Sequence, residues 1–245
     1  TSKCFFGLLK EGVIKPLDDT PIKDLTYEAP KLADANFSKK ASTSKNTSNL
    51  RQVSEIKGEY CHLHVHSQYS VLQATADVKS LINRAKDLNM AAVGLTDLGN
   101  MFGGYKFVQG AIAAGIKPIL GCEYYISENR LTNKFTKDNP DKMYQQVLMA
   151  KNKAGFHNLS KLSSLGYIEG LYGLYPRIDK DLILQYKENV IALTGSLKSE
   201  IPYLILNVGE QQAEETFKWW HENFGEDFYV EINRHGLEEE NHLNE

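Results

Sequence analysis

The sequence predicts an α/β fold that begins near residue 59 and continues to the end of the chain. Short apolar runs alternate there with amphipathic segments, which is the rhythm of β-strands alternating with α-helices. The runs are apolar at successive positions, as strands covered on both faces are. This pattern favours either an open doubly wound sheet or a closed (β/α) barrel. The six predicted strands span residues 60–65, 91–96, 116–121, 146–150, 190–194 and 228–232.

Amphipathic segments between these strands indicate helices. In each segment apolar residues recur every three or four positions, which places them on one helical face. The first segment covers residues 77–89, and the second ends at Gly115. The predicted buried faces are Val78, Leu81, Ile82, Ala85 and Leu88 in the first helix, Phe102, Tyr105, Val108 and Ile112 in the second, and Ala213, Phe217, Trp220 and Phe224 in a later one.

Residues 1–57, before the predicted fold, differ from it in amino-acid composition. Apolar residues in 1–14 fit one helix face, which indicates the end of a preceding domain. Residues 15–57 are rich in Ser, Thr, Asn and Lys, and the stretch 38–49 has almost no side chain that could be buried. We therefore expect a flexible linker over 15–57, a main domain over 58–245, and a parent protein longer than this chain.

Composition excludes several classes of protein. With 28 Lys plus Arg against 31 Asp plus Glu, the net charge of −3 provides no overall positive field for nucleic acid. No apolar run approaches the roughly 18 to 20 residues of a membrane helix, so we expect a soluble protein without a membrane partner. The three cysteines form no Cys-x-x-Cys pair, which suits a reducing cytoplasm. Neither a dinucleotide-binding nor a P-loop motif follows any predicted strand.

Three histidines in the first predicted strand are candidates for metal binding. His62, His64 and His66 are spaced two residues apart, so a regular strand would place them on one face. Imidazole is the commonest transition-metal ligand, and sites in α/β folds lie at the carboxyl ends of strands. The alternative is that these are structural or solvent-facing histidines with hydrogen-bond partners.

Carboxylates follow the next two predicted strands. Asp97 comes directly after the second strand and Glu123 after the third, so parallel strands would place both beside the histidines. Histidines and carboxylates together suit divalent ions that activate water against a phosphoester. Alternatively, Asp97 caps the following helix and Glu123 is a solvated strand end. His235, in a predicted loop after the sixth strand, is a weaker candidate.

Several ordered motifs resemble a known family. The motifs are HLHVHSQYS at 62–70, GLTD at 94–97 with GNMFG at 99–103, AGIKPILGCE at 114–123, GFHNL at 155–159, LTG at 193–195 with EIP at 200–202, and EINRHGL at 231–237. With these motifs the chain resembles, over residues 60–245, the PHP (polymerase and histidinol phosphatase) domain of bacterial DNA polymerase III alpha subunits. The resemblance implies a distorted (β/α)7 barrel whose last strand lies beyond Glu245.

The resemblance also implies a metal site with missing ligands. Family members with an intact site bind several divalent ions and hydrolyse phosphoesters, and His64, His66 and Glu123 match their ligand positions. Four other positions depart from the pattern, because Gln73 replaces an Asp, Leu98 and Gln145 each replace a His, and Ser196 replaces a Cys. Leu offers no ligand atom, and Gln and Ser are poor substitutes for an anion or an imidazole. We therefore expect a degenerate site without a tightly bound ion, although residual Zn or Mn is compatible with it.

The resemblance implies a role in bacterial DNA replication. Residues 1–14 resemble the closing helix of a proofreading exonuclease domain, and such an upstream domain would leave the PHP domain as a scaffold. The parent protein would be a Mg-dependent DNA-directed DNA polymerase whose partners are its own other domains, DNA and replisome subunits. The alternatives are an active divalent-metal phosphoesterase or 3′–5′ exonuclease of the PHP type, and a module that docks the polymerase to an editing subunit or DNA.

Overall fold

The computed structural model describes residues 60–136 and 140–244, and it confirms the predicted α/β class. The predicted domain end at 1–14 and the predicted linker at 15–57 lie outside these residues. No helix in the described ranges combines the length and apolarity needed to cross a membrane. The elements in chain order are α1 Val78–Asp87, β1 Ala92–Leu95, α2 Gly104–Ala114, β2 Lys117–Ser127, β3 Met143–Ala150, α3 Lys153–Ile168, β4 Leu171–Tyr172, β5 Tyr175–Ile178, α4 Lys180–Tyr186, β6 Val190–Leu193, α5 Glu200–Asn207, α6 Glu210–Phe224, a 3₁₀ turn Gly225–Asp227, β7 Phe228–Tyr229 and α7 Glu238–Asn244.

The sheet is organised around β2, which is 11 residues long and has neighbours on both sides. β1 pairs in parallel with the first half of β2, and β5 pairs in parallel with its second half. On the other side β3 runs antiparallel to β2, followed by antiparallel β6 and then by β7, which is parallel to β6. The sheet is therefore mixed, because it contains both parallel pairs (β1–β2, β2–β5 and β6–β7) and antiparallel pairs (β2–β3 and β3–β6).

The sheet does not close into a barrel within the described residues. At one edge β7 pairs with β6, and at the other edge residues 60–66 lie along β1. The expectation of a further strand after Glu245 falls outside the described part of the chain and stays a prediction.

The first predicted strand, at 60–65, is wrong as a regular strand but correct in position. The segment runs parallel to β1, where the Gly94 N–H donates to the His62 carbonyl at 2.7 Å and the Thr96 N–H donates to the Val65 carbonyl at 2.8 Å. Gly94 allows this approach, because a Cβ there would lie 2.2 Å from the Leu63 carbonyl oxygen. The Val65 N–H donates to the Thr96 hydroxyl instead of to a backbone carbonyl, which interrupts a regular ladder.

The other predicted strands are present with different ends. β2 continues past its predicted end to Ser127, because Cys122, Tyr124 and Ile126 alternate into the core. β7 is only two residues long, since the chain leaves β6 after Tyr229. The hairpin of β4 and β5 was not predicted, because its strands are too short to show a period.

The helices confirm two of the three predicted apolar faces in their main residues. In α1 Val78, Ile82 and Ala85 are buried, whereas Leu88 is 46% exposed. In α6 the buried residues are Ala213, Trp220 and Phe224. The predicted face of α2 is wrong, because Phe107 and Ala111 are buried whereas Phe102, Tyr105 and Ile112 are 64%, 78% and 61% exposed. Helix α2 is apolar on more than one side, so its spacing did not single out the face that packs against α1 and β2.

The larger core cluster lies between the sheet and the helices α3 and α6. Leu159 and Leu162 of α3 and Trp220 of α6 are completely buried in it. Burial of a side chain of this size contributes about 1.5 to 3 kcal/mol to folding. The core therefore supports the long strand β2, from which one of the predicted site residues projects.

Asp97 anchors the loop that follows the histidine segment, which corrects both sequence interpretations of this residue. Its carboxylate is 2% exposed and accepts hydrogen bonds from the Ser67 N–H at 2.6 Å, the Ser67 hydroxyl at 2.8 Å and the Ser70 hydroxyl at 2.8 Å. It does not cap α2, whose N-cap residue is Gly103. Because these bonds use both oxygens, Asp97 holds the loop in place, and it does not belong to the group of side chains that converge with His64 and His66.

We expect Asp97→Ala to lower the free energy of unfolding by about 3 kcal/mol, because it leaves buried Ser donors and a buried N–H without an acceptor. Urea unfolding of the 245-residue chain, followed by tryptophan fluorescence, measures the change. Asp87→Ala, at the exposed end of α1, is the matched control and is expected to change stability by less than about 0.5 kcal/mol. Equal stability of the two variants would contradict the anchoring role.

Candidate metal centre

Three of the predicted site residues converge at one place. His64, His66 and Glu123 each bring a ligand atom within 4.8 Å of the others. His66 Nε2 lies 2.9 Å from Glu123 Oε2, and His64 Nε2 lies 3.5 Å from Glu123 Oε1. The histidines come from the segment beside β1 and the carboxylate from the middle of β2, so the parallel approach of these elements brings the residues together.

The backbone around Glu123 fixes its position. The Glu123 N–H donates to the Asp97 carbonyl at 3.0 Å, and the Gly99 N–H donates to the Glu123 carbonyl at 2.7 Å. The Glu123 side chain is 2% exposed. Asp97 therefore contributes to the site through its backbone, which locks Glu123 in place, rather than through its carboxylate.

Glu231 is a site residue that the sequence interpretation missed. Its Oε1 lies 2.8 Å from His64 Nδ1, and its backbone N–H donates to the Thr194 hydroxyl at 2.8 Å. The residue lies two positions after Tyr229, the last residue of β7. The rule that identified Glu123, a carboxylate at the end of an apolar strand, would have identified Glu231 if the strand had been predicted to end at Tyr229 instead of at 232.

The contacts shift the protonation of the site strongly. Burial alone lowers the pKa of His64, but its hydrogen bonds and charge interactions with Glu123 and Glu231 outweigh burial and raise the pKa to about 10. Burial alone raises the pKa of Glu123, but the contacts with His64 and His66 outweigh it and lower the pKa to about 2. At neutral pH these shifts favour an imidazolium at His64 beside an ionised Glu123.

His62 and His235 lie apart from this group. His62 is exposed, and its Nδ1 lies 3.3 Å from the Tyr60 hydroxyl. The alternation that would have aligned it with His64 fails because the segment is not a regular strand. The His235 side chain is 73% exposed, and its Nδ1 lies 2.6 Å from Glu240 Oε1. His235 therefore lies at the exposed edge of the site.

A cavity of about 380 Å³ opens in front of the three converging residues. The four positions that depart from the family pattern all line it, together with His235. They present two neutral amides, one aliphatic side chain and one hydroxyl. These residues are Gln73, Leu98, Gln145 and Ser196.

The three converging side chains have the chemistry to hold one divalent ion. Two imidazole nitrogens and one carboxylate are a common zinc ligand set that leaves a position open. His66 Nε2 and Glu123 Oε1 are buried and make no hydrogen bond of suitable geometry. Buried polar atoms normally have partners, so these two atoms are consistent with a cation as their partner.

Comparison with known proteins agrees with the family resemblance. The family sequence model of the PHP domain matches residues 62–235. A protein named DNA polymerase III subunit alpha from Borreliella burgdorferi is 43% identical over 192 residues, which are 77% of this chain and 16% of that protein. Proteins of the same name from Treponema pallidum and Aquifex aeolicus are 40% and 38% identical over 182 and 188 residues, in each case 74% of this chain and 16% of the relative.

The chain thus spans about 16% of the length of these relatives. The match to the PHP model covers most of the described residues, including both site histidines, Glu123 and Glu231. This chain therefore belongs to the PHP domain family.

Proposed function

We propose that this chain is the PHP part of a bacterial DNA polymerase III alpha subunit and acts in DNA replication as a structural scaffold for the polymerase. The similarity to three proteins of that name, at 38% to 43% identity, supports this parentage. Mg-dependent nucleotidyl transfer would then belong to other parts of the protein. Its partners would be those other domains, DNA and replisome subunits, in the bacterial cytoplasm.

The scaffold role is supported by the small number of side chains in the cavity that could bind a metal ion. Hydrolysis by a multinuclear centre requires neighbouring ions that share enough anionic and imidazole ligands. His64, His66 and Glu123 can surround one ion. Of the other residues that line the cavity, Gln73, Leu98, Gln145 and Ser196 offer no imidazole, thiolate or carboxylate, and His235 and Glu240 contact each other at 2.6 Å. We therefore propose that the multinuclear site is degenerate.

The proposed domain order places the PHP domain, 58–245, after a linker at 15–57 and the end of an exonuclease domain at 1–14. In this arrangement an upstream exonuclease would supply proofreading, so the PHP domain would not need its own metal cluster. The polar composition of residues 15–57 and the apolar helix face in residues 1–14 support the proposal.

A second candidate function is a divalent-metal phosphoesterase or 3′–5′ exonuclease of the PHP type. The convergence of His64, His66 and Glu123 favours it, because one bound ion can lower the pKa of a water molecule and orient it. A scaffold would not hydrolyse a phosphoester and an enzyme would, so a single hydrolysis assay separates the two functions.

We expect the purified chain to hold fewer than one tightly bound transition-metal ion, because three side chains without further ligands do not retain a cluster through purification. Elemental analysis by mass spectrometry measures the metal content per chain. Two or three ions per chain would contradict the degenerate site.

We expect no metal-dependent hydrolysis of a chromogenic phosphate ester or a labelled single-stranded oligonucleotide in the presence of Mn²⁺ or Zn²⁺. The double variant His64→Asn/His66→Asn is expected to show the same background rate and to lose about 3 kcal/mol of stability, because Glu123 loses its buried positive neighbour. The matched control, His157→Asn/His242→Asn, changes two exposed histidines. Sustained turnover by the parent that disappears only in the first double variant would overturn the scaffold role.

A further inference from the structure

Glu231 stands in the position of an outer ligand-orienting group. Its Oε1 lies 2.8 Å from His64 Nδ1, whereas the other ring nitrogen of His64, Nε2, is directed at Glu123. Imidazole rings that bind metals usually donate their second N–H to a carboxylate or a carbonyl, which fixes the tautomer and the ring orientation. The contact with Glu231 therefore leaves Nε2 as the ligand atom.

Glu231 is not itself a fourth ligand of the same ion. The two nitrogens of an imidazole point away from each other, so a carboxylate at Nδ1 and an ion at Nε2 lie on opposite sides of the ring. Consistently, the ligand atoms that lie within 4.8 Å of one another belong to His64, His66 and Glu123 and do not include Glu231.

Glu231 is itself held in place. Its N–H donates to the hydroxyl of Thr194, a buried residue, and the Thr194 N–H donates to the Tyr229 carbonyl at 2.9 Å. The carboxylate is largely buried and comes from the sheet edge opposite to the histidine segment. With its backbone fixed in this way and its Oε1 in contact with His64 Nδ1, Glu231 can hold the ring of His64 in one orientation.

We propose that Glu231 is a positioning residue that orients His64 for a single divalent transition-metal ion held by His64, His66 and Glu123. The inference deepens the proposed function by assigning the retained residues to one ion instead of a catalytic cluster. His66 Nε2 and Glu123 Oε1, which are buried and make no hydrogen bond of suitable geometry, supply the remaining ligand atoms. The affinity of the site for this ion should therefore depend on a residue that never touches it.

The test is a zinc titration of the 245-residue chain in competition with a chromogenic chelator. We expect one Zn²⁺ per chain for the parent and an affinity lower by about 10- to 100-fold for Glu231→Gln. Gln keeps the size of Glu and one acceptor oxygen but not the charge. The matched control Glu238→Gln changes an exposed carboxylate in α7 and should leave the affinity unchanged.

Absorption spectra with Co²⁺ in place of Zn²⁺ separate positioning from simple stabilisation. A repositioned His64 changes the ligand-field bands, whereas a purely structural role of Glu231 lowers the melting temperature and leaves bands and affinity unchanged. The latter outcome, or no Zn²⁺ binding by the parent, would overturn the inference.

If Glu231→Gln does not fold, Thr194→Val carries the test, because it removes the hydroxyl that anchors Glu231. We expect this variant to bind Zn²⁺ more weakly than the parent, and equal affinity would overturn the inference. Phosphoesterase turnover by the parent, by contrast, would overturn the scaffold role without affecting the assignment of Glu231.

Discussion

The close approach of residues 60–66 to β1 is the constraint on which the site depends. Gly94 permits it, because any side chain there would collide with the Leu63 carbonyl. Asp97 then secures the following loop through three buried hydrogen bonds. With the segment fixed at both points, His64 and His66 meet the carboxylate of Glu123 on the neighbouring strand β2.

The charges of the site connect parts of the chain that are not neighbours in the strand order of the sheet. His64 interacts with Glu123 from β2 and with Glu231 from the chain after β7, across the open side of the sheet. Because the two ring nitrogens of His64 face one acidic side chain each, His64 bridges β2 and the β7 edge of the sheet without backbone pairing.

Family membership and site chemistry bear on two different properties of the protein, its place in replication and the reaction at its metal site. Membership in the PHP family, with relatives named as polymerase subunits, supports a place in replication. The side chains around the cavity bear on chemistry, and the proposal of a scaffold that holds at most one ion rests on them. The two candidate functions are therefore decided by turnover and stoichiometry, not by the fold.

The sequence by itself determined the α/β class, the family, most strand positions and the convergence of His64 and His66 with Glu123, because apolar runs and motif spacing are local properties. Tertiary structure alone decided that the histidine segment is irregular, that α2 buries Phe107 instead of Tyr105, and that Asp97 anchors a loop. It also identified Glu231, which is 167 residues from His64 in the chain. A contact of that separation depends on how the sheet edges are placed in space, which no local pattern encodes.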